Sequence, residues 1–196
     1  MAATQKPPMK DRILETADRL FYLRGIRAVG VDTVAAEIGI SKRTLYNHFP
    51  SKDALISAYL ERRSRPTAAS DKPPLEQILA VFDSLERRFS AKDFRGCPFI
   101  NAVTELGPKD KAVKKIAIAF KESRQQWFRD QLQRLQLTGA DDLAAQLVIL
   151  VDGSIAQDLV RDDPAIARSA KAAARVLLAS AGVSMEDLPG AKPPGQ

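Results

Sequence analysis

The sequence of 196 residues predicts an all-α protein of about nine helices. Apolar residues recur every three or four positions through most of the chain, which is the spacing of a buried helix face. No segment shows the alternation of period two that is typical of a half-buried strand. Glycine, proline and serine separate the periodic segments, at positions where helices usually begin and end. We therefore expect two helical parts, a small one of short helices and a larger one of long helices.

The first part contains four predicted helices, and two of them are unusually short. Gly25 and Gly39 follow periodic segments and are expected to end the first two helices. Ser41 is positioned to cap the third helix, and Ser51 caps the fourth after the break at Pro50. The predicted spans are 10–24, 31–38, 42–48 and 51–65.

The second part follows a linker rich in turn-forming residues, RPTAASDKPP, and is also all helical. Its predicted helices are 74–91, 98–106, 108–136, 140–161 and 163–181. We predict four segments along the chain: a flexible arm at 1–9, a helix-turn-helix domain at 10–57 whose fourth helix continues to about residue 65, a helical domain at 66–186 and a disordered tail at 187–196.

The net charge of +6 is concentrated in the first part of the chain. Residues 1–65 contain twelve basic and seven acidic residues, whereas the rest of the chain contains eighteen basic and seventeen acidic ones. This asymmetry predicts a module that binds a polyanion, joined to a nearly neutral one.

The composition argues against catalysis and against metal or cofactor binding. One cysteine, Cys97, permits neither an internal disulfide nor a cysteine-based zinc site. His48 is the one histidine of the sequence, so a His-ligated metal site or a separate Ser-His-Asp triad is not expected. The acidic pairs at 141–142 and 162–163 stand at predicted helix starts, where N-capping explains them. We expect no enzyme, no metal and no cofactor.

The chain shows no sign of a membrane segment. The longest apolar runs, such as LVILV at 147–151, are far shorter than the roughly 20 residues that cross a bilayer. The N-terminus MAATQKPPMK lacks the apolar run of a signal peptide. We therefore expect a cytoplasmic protein with no membrane partner.

The two short helices, joined by IGIS, predict a helix-turn-helix, in which the second helix enters the DNA major groove. Leu45 and Phe49, four residues apart, are the expected inward anchors of that second helix. Its other side chains then face outward, where cations and hydroxyls suit phosphates and base edges. They are Lys42, Arg43, Thr44, Tyr46, Asn47 and His48. Lys52 and the amides after Ser51 are placed to hold a further phosphate. The alternative is an ordinary solvated helix, which the flanking short helices and the basic charge disfavour.

Residues about 11–57 resemble the DNA-binding domain of TetR-type transcriptional regulators. The resemblance is carried by ILETADRLFYLRGIRAVGVDTVAAEIGISKRTLYNHFPSKDALI, and most specifically by TLYNHFPSKDAL. It implies that Tyr46 and His48 touch phosphates and that Lys52 binds the DNA backbone. It places Lys42, Arg43, Thr44 and Asn47 at or near base edges. The predicted DNA-contacting residues are therefore Thr33, Ser41, Lys42, Arg43, Thr44, Tyr46, Asn47, His48 and Lys52.

Two positions depart from the pattern of the resembled family. Gly30 stands where many relatives have a capping threonine, so the phosphate contact implied for Thr33 has weaker support. Arg43 stands where many relatives have a small residue, so no relative's operator can be transferred to this chain.

The second part resembles the family more weakly, through RGCPFINAVTELG at 95–107. The resemblance implies a domain that binds a small molecule and dimerises through its last two helices. Candidate pocket residues are Phe82, Phe99, Asn101, Phe120, Trp127 and Asp152, with Phe94, Phe128 and Ser154 as further aromatic and polar positions. For each of them, ordinary core or a satisfied buried polar group is the favoured explanation.

The last two predicted helices carry residues suited to a dimer. Helix 140–161 is apolar on more than one face, and helix 163–181 is rich in alanine, which permits close helix approach. Symmetric dimers are the commonest oligomers, and a two-fold operator requires two reading helices. The alternative is a simple monomer core.

The leading interpretation is a homodimeric transcriptional regulator, most often a repressor in this family, released from a two-fold symmetric operator by a small-molecule effector. The alternative is a DNA-binding regulator with no small-molecule ligand, controlled by a partner protein or by its own abundance. The sequence leaves open the operator, the effector, the regulated genes, the sign of regulation and any redox role of Cys97.

Overall fold

The computed structural model describes residues 7–64, 70–107 and 110–184. These residues form nine α-helices and no strand, which confirms the all-α prediction. The helices are α1 Met9–Arg24, α2 Val31–Ile38, α3 Lys42–His48, α4 Lys52–Arg63, α5 Pro74–Phe89, α6 Pro98–Leu106, α7 Lys111–Arg134, α8 Ala140–Arg161 and α9 Ala165–Ser180. Residues 1–6 of the predicted N-terminal arm, residues 65–69 of the linker, residues 108–109 and the predicted tail lie outside the described residues.

Local signals set the ends of the short helices as the sequence predicts. The Oγ atoms of Ser41 and Ser51 accept hydrogen bonds of 3.0 Å from the backbone N–H groups of Thr44 and Ala54. These bonds satisfy donors that the first turn of a helix leaves unpaired. Gly39 ends α2 in the left-handed region, with φ of 71°, which costs a glycine nothing.

Three of the long helices are shorter than predicted, and two of the differences have a clear local cause. α7 ends at Arg134 rather than 136 because Gln136 adopts a positive φ of 57°. α9 begins at Ala165 rather than 163 because Asp163 Oδ1 accepts from the Ala165 N–H at 2.9 Å and so lies outside the helix. α5 ends at Phe89 rather than 91.

One compact unit comprises residues 7–64, 97–107 and 110–120. Within it α1 packs against α2 and α4, α2 against α3, and α4 against α6. Phe21 and Tyr59 meet edge to face, with ring centroids 5.6 Å apart. The Arg63 guanidinium forms two hydrogen bonds of 2.7 and 2.8 Å with the Asp18 carboxylate, which fixes α4 on α1. The sequence places a boundary near residue 66, and the structure adds residues 97–120 to the unit that precedes it.

The second compact unit comprises residues 70–96 and 121–184. Here α9 packs against α5 and α8, and α5 also contacts α8. Buried Ala167, Ala170 and Ala174 let α9 approach its neighbours closely. Lys171 pairs with Asp83 at 2.6 Å and Arg168 pairs with Glu86, so two ion pairs link α9 to α5. These pairs are at least partly exposed and add little stability beyond that of the buried apolar contacts.

α8 is long and apolar enough, by length and composition alone, to cross a membrane. Its residues Leu143, Ala144, Leu147, Val151 and Ile155 are buried in the core of the second unit. The core helix of a soluble protein can pass the same test of length and apolarity.

Candidate nucleic-acid interface

The inward side of α3 consists of two anchors, as the sequence predicts. Leu45 is completely buried, and Phe49, at the C-terminal end of the helix, is 4% exposed. Burial of two large apolar side chains contributes roughly 3–6 kcal/mol, enough to hold so short a helix in one orientation. The Ser41 and Thr44 hydroxyls lie 2.8 Å apart and form a hydrogen bond at the start of the helix. The orientation of α3 is therefore fixed at its beginning, middle and end.

The outward side of α3 presents the polar residues that the sequence predicts. Lys42, Arg43, Tyr46, Asn47 and His48 are all exposed, and we call these five residues the α3 face. Thr44 is half-buried beside them. The α3 face combines cations, amide and hydroxyl groups on one short helix, a combination that can contact phosphates and base edges.

Lys42 has a partner that the sequence analysis did not identify. Its Nζ lies 3.0 Å from Asp32 Oδ2, in the first turn of α2. The hydrogen bond and the negative charge of Asp32 raise the pKa of the Lys42 ammonium, so this group stays charged. Both side chains are more than half exposed, so the pair is screened by solvent and is easily exchanged for another anion.

Lys52 is the first residue of α4, and it follows the C-terminal end of α3 along the chain. Its Nζ donates a hydrogen bond of 2.7 Å to the backbone oxygen of Ile26, in the turn between α1 and α2. An ammonium has three donors, so this contact leaves further capacity for a phosphate. Thr33 is half-buried in the first turn of α2, near Gly30. The structure thus places Lys52 and Thr33 in the same unit as the α3 face.

Lys10 was not singled out from the sequence. Its Nζ lies 5.7 Å from the centroid of the Phe49 ring, so the ammonium stands over the residue that ends α3. A cation on a neighbouring helix beside the α3 face is a natural additional phosphate contact. No local sequence signal indicates that Lys10 lies here, because its position depends on the packing of the helices.

The predicted pocket residues do not all lie in one place. Phe99 stacks on Phe120 with centroids 3.8 Å apart, in the first unit. Asn101 is half-buried on α6 in the same unit. In the second unit, Phe82 is 1% exposed within the core, and Asp152 accepts hydrogen bonds of 2.5 and 2.6 Å from Lys121. These contacts are those of ordinary core and paired polar groups.

A cavity of about 380 Å³ does exist in the second unit, and it contains Trp127 among its lining residues. We call it the α5–α7 cavity. Phe128, one of the further predicted positions, also lines it, whereas Phe82, Phe99, Asn101, Phe120 and Asp152 are not among its described lining residues. Its described lining residues are Ser70, Lys72, Gln77, Ala80, Val81, Ser84, Leu85, Arg88, Arg124, Trp127 and Phe128. The predicted candidates were aromatic residues together with Asn101 and Asp152, and they did not include Gln77, Arg88 or Arg124. The positions of Gln77, Ser84 and Arg88 on one stripe of α5 are the signal that could have identified them.

Metal-ligating side chains do not cluster in the part of the chain that the structure describes. No group of three or more His, Cys, Asp or Glu residues is placed there to hold an ion. Cys97 is buried, 5% exposed, at the residue before α6.

Comparison with known families and proteins connects the α3 region to DNA-binding regulators. The family model described as bacterial regulatory proteins of the tetR family matches residues 13–59. An uncharacterized HTH-type transcriptional regulator from Mycobacterium tuberculosis is 44% identical over 55 residues, which span 28% of this chain and only 27% of that protein. The HTH-type transcriptional regulator LmrA from Bacillus subtilis is 27% identical over 146 residues, 70% of this chain and 76% of that protein.

Solved structures extend the similarity to about nine tenths of the chain. A crystal structure described as a TetR-type transcriptional regulator, from Streptomyces avermitilis, is 31% identical and superimposes with a TM-score of 0.76, covering 92% of this chain and 100% of that one. A TetR-family regulator from Streptomyces coelicolor is 29% identical with a TM-score of 0.78, covering 89% of this chain and 96% of that one. The similarity therefore includes the second helical unit.

Proposed function

Because the chain belongs to the TetR family of transcriptional regulators, we propose that it is a homodimeric repressor that a small-molecule effector releases from its operator. As a member of this family it is a DNA-binding transcription factor and not an enzyme. Repression, dimerisation, effector release and a cytoplasmic location are the parts of this proposal that go beyond family membership.

The observation that carries the proposal is the division of α3 into a buried and an exposed side. Leu45 and Phe49 hold the helix inward, and the α3 face remains accessible. In this proposal Arg43 and Asn47 read base edges in the major groove, while Tyr46 and His48 bind phosphates. Three lysines, Lys10, Lys42 and Lys52, add cationic contacts to the DNA backbone. The hydroxyls of Thr33, Ser41 and Thr44 lie at the edge of this interface.

A dimer is supported by apolar side chains on the outer surface of the second unit. Ile149 is 68% exposed and Val160 is 85% exposed on α8, and Val176 is 65% exposed on α9. Ile149, Gly153 and Val160 are spaced by four and seven residues, so they share one stripe of α8. Gly153 has open space where a Cβ would stand, which permits close approach of a second helix. We call these residues the α8–α9 stripe, with Val176 as its member on α9.

Two copies related by a two-fold axis would present two α3 faces to one duplex. Recognition helices of such dimers enter successive major grooves about 34–36 Å apart. An effector weakens DNA binding if it favours a conformer in which the two recognition helices are separated by a different distance. It can shift the equilibrium only by its difference in affinity for the two conformers, and nearly complete release requires about 5.5 kcal/mol of such preference.

Selection of bound duplexes from a random DNA pool tests this proposal. We expect enrichment of a two-fold symmetric site with half-sites about one helical turn apart. A protein that enriches no duplex over the starting pool at low salt contradicts DNA reading by α3. A screen of metabolites for an effect on operator affinity then follows. If the protein selects a symmetric site and no metabolite releases it from that site, control by a partner protein or by abundance is favoured.

A further inference from the structure

The α5–α7 cavity has a chemical character that indicates the class of effector. We propose that it binds a small aromatic carboxylate, with the ring against Trp127 and the carboxylate held by Arg88 and Arg124. This inference rests on the proposed function, because it names the class of molecule that the second unit senses. The lining residues all belong to that one unit.

The charge of the lining selects for an anion. Lys72, Arg88 and Arg124 contribute three basic side chains, and none of the described lining residues is an aspartate or glutamate. A carboxylate that enters such a cavity meets basic side chains and no acidic side chain among the described lining residues. Charge-assisted hydrogen bonds to arginine are about twice as strong as neutral ones and are often bidentate. A cationic ligand would be repelled by the same lining.

Arg88 is held in a geometry that suits this role. Its guanidinium carbon lies 5.6 Å from the centroid of the Phe94 ring, so the aromatic face supports one side of the group. Such a contact engages the guanidinium with the ring and does not use its N–H donors on a hydrogen-bond acceptor, so they remain available to a carboxylate. Arg88 is half-buried, which strengthens its hydrogen bonds relative to those of an exposed arginine.

The rest of the lining is apolar and partly aromatic. Trp127 and Phe128 meet nearly at right angles with centroids 5.1 Å apart, and Val81 and Leu85 line the cavity from α5. Flat aromatic ligands make favourable stacked and edge contacts with such rings. A volume of about 380 Å³ lies at the small end of ligand sites, which fits a molecule of one or two rings.

Gln77 gives the cavity a fixed edge. This side chain is 8% exposed, and its Nε2 donates hydrogen bonds to the backbone oxygens of Ser70 and Lys72, at 3.1 and 2.6 Å. The bonds fix the segment that precedes α5, so Ser70 and Lys72 form a stable part of the lining. A site that is largely formed before the ligand arrives loses less entropy on binding.

A second cavity in the same unit has a different character. Its volume is about 850 Å³, and its lining contains Asp158 and Asp162 as well as Lys92 and Arg95. Mixed charge gives no preference for an anion. The selective character therefore belongs to the α5–α7 cavity.

Calorimetric titration of the full chain with matched ligands tests the inference. The probes are benzoate, 3-phenylpropionate and biphenyl-4-carboxylate, each compared with the corresponding alcohol and amine. We expect at least one carboxylate to bind at least about tenfold more tightly than its alcohol, because its hydrogen bonds to arginine are charge-assisted. The amine should bind most weakly, because the basic lining repels a cation. Trp127 is the only tryptophan, so a change in its fluorescence reports binding beside that ring.

Variants assign the binding to the cavity. Arg88→Gln and Arg124→Gln should each weaken carboxylate binding by about tenfold or more and leave alcohol binding nearly unchanged. Arg87→Gln is the matched control, since Arg87 is the exposed neighbour on α5 and does not line the cavity. Equal affinity for acid and alcohol, or no binding by any of the three carboxylates at millimolar concentration, overturns the inference.

The test of ligand binding and the test of DNA binding can fail independently of each other. A chain that selects a symmetric duplex but binds none of the carboxylates keeps its proposed DNA-binding role and loses the inference about the effector. A chain that binds a carboxylate through Arg88 and Arg124, with no change in its affinity for the selected duplex, supports the site and contradicts release by that ligand.

Discussion

Glu105, near the C-terminal end of α6, accepts a hydrogen bond of 2.9 Å from the backbone N–H of Arg27 in the turn between α1 and α2. A Cβ on Gly25, in the same turn, would stand only 3.0 Å from Glu105 Oε2, and the φ of 89° at Gly25 also favours glycine. The next residue, Ile26, accepts the hydrogen bond from Lys52 at 2.7 Å. The turn is therefore held by α6 on one side and by the start of α4 on the other.

Replacing Glu105 with leucine should destabilise the first unit. The substitution removes the acceptor for the Arg27 N–H, and since this site is exposed we expect a loss of about 1 kcal/mol in the free energy of unfolding. Glu105→Gln keeps an oxygen acceptor and should recover most of that loss. Urea denaturation measures both values. Equal stability of the leucine and glutamine variants would show that the hydrogen bond contributes nothing.

The Lys42–Asp32 ion pair predicts opposite effects of two substitutions on DNA affinity. Lys42→Ala removes a phosphate contact and should reduce the slope of log affinity against log salt by about 1 per subunit. Asp32→Ala frees the Lys42 ammonium and removes a negative charge beside the α3 face, so nonspecific affinity should rise at low salt. Titrations at several salt concentrations measure both slopes. If Asp32→Ala weakens nonspecific binding, Asp32 is not a competitor of phosphate.

Arg43 and Asn47 should determine sequence preference and not general affinity. Each good contact with a base edge contributes about 1–3 kcal/mol of discrimination. Alanine at either position should therefore relax preference at particular base pairs and reduce the difference between the selected duplex and a scrambled one. Lys52→Ala is the comparison, since loss of a backbone contact should weaken both duplexes to a similar extent. Unchanged discrimination in the Arg43 or Asn47 variant argues against base reading at that position.

The α8–α9 stripe should be required for the dimer. Ile149→Glu or Val176→Glu places a charge on an apolar surface that a second subunit would bury, and an unpaired buried charge is strongly unfavourable. We expect sedimentation to show a monomer where the unchanged protein sediments as a dimer. Ile118→Glu is the control, because Ile118 is 46% exposed on α7 in the other unit. If both stripe variants dimerise as tightly as the unchanged protein, the dimer interface lies elsewhere.

Asp158 should make stability depend on pH. Burial raises the pKa of its carboxyl above the ordinary value of 3.8, the charge of Asp162 adds to the effect, and Oδ1 has no hydrogen-bond partner among the described residues. The folded chain thus binds this proton more tightly than the unfolded chain. Its contribution to stability is full below pH 3.8 and is lost as the pH rises through the folded pKa.

Asp158→Asn removes that dependence and should raise the melting temperature at pH 7, with a gain that disappears towards pH 4. A stabilisation of ~1 kcal/mol corresponds to about 2–4 °C in a chain of this size. Asp142→Asn changes the same charge at the other end of α8 and should not stabilise, because an acidic side chain there interacts favourably with the helix dipole. A gain for Asp158→Asn that is the same at pH 4 and pH 7 contradicts a raised pKa.

The sequence predicted those features that depend on neighbouring residues. The bounds of α2 and α3, the Ser41 and Ser51 caps and the burial of Leu45 and Phe49 all follow from signals within a few residues. The exposure of the α3 face is the geometric consequence of those anchors. The DNA contacts themselves stay a prediction.

The features that the sequence did not reveal join residues that are distant along the chain. Asp32 reaches Lys42 across the helix-turn-helix, and Glu105 reaches Arg27 from a helix 78 positions later. Phe82 and Phe99 are pocket candidates because they lie on helices that enclose the cavity in the resembled family. Large apolar side chains most often fill a core, and both residues are buried in one. The stripe of Gln77, Ser84 and Arg88 on α5 is a local pattern, but which other helix faces that stripe depends on how the helices pack.

The central claim is that the outward side of α3 reads double-stranded DNA while its inward side only anchors the helix. Fluorescence anisotropy with a labelled duplex from the selection tests it, comparing the unchanged protein with a Tyr46→Ala/Asn47→Ala double variant whose melting temperature is unaltered. We predict that the double variant binds at least about tenfold more weakly, the result of losing a phosphate and a base contact together. Equal affinity of the two proteins, or no binding of the unchanged protein even in 50 mM salt, where backbone contacts are strong, would contradict the claim.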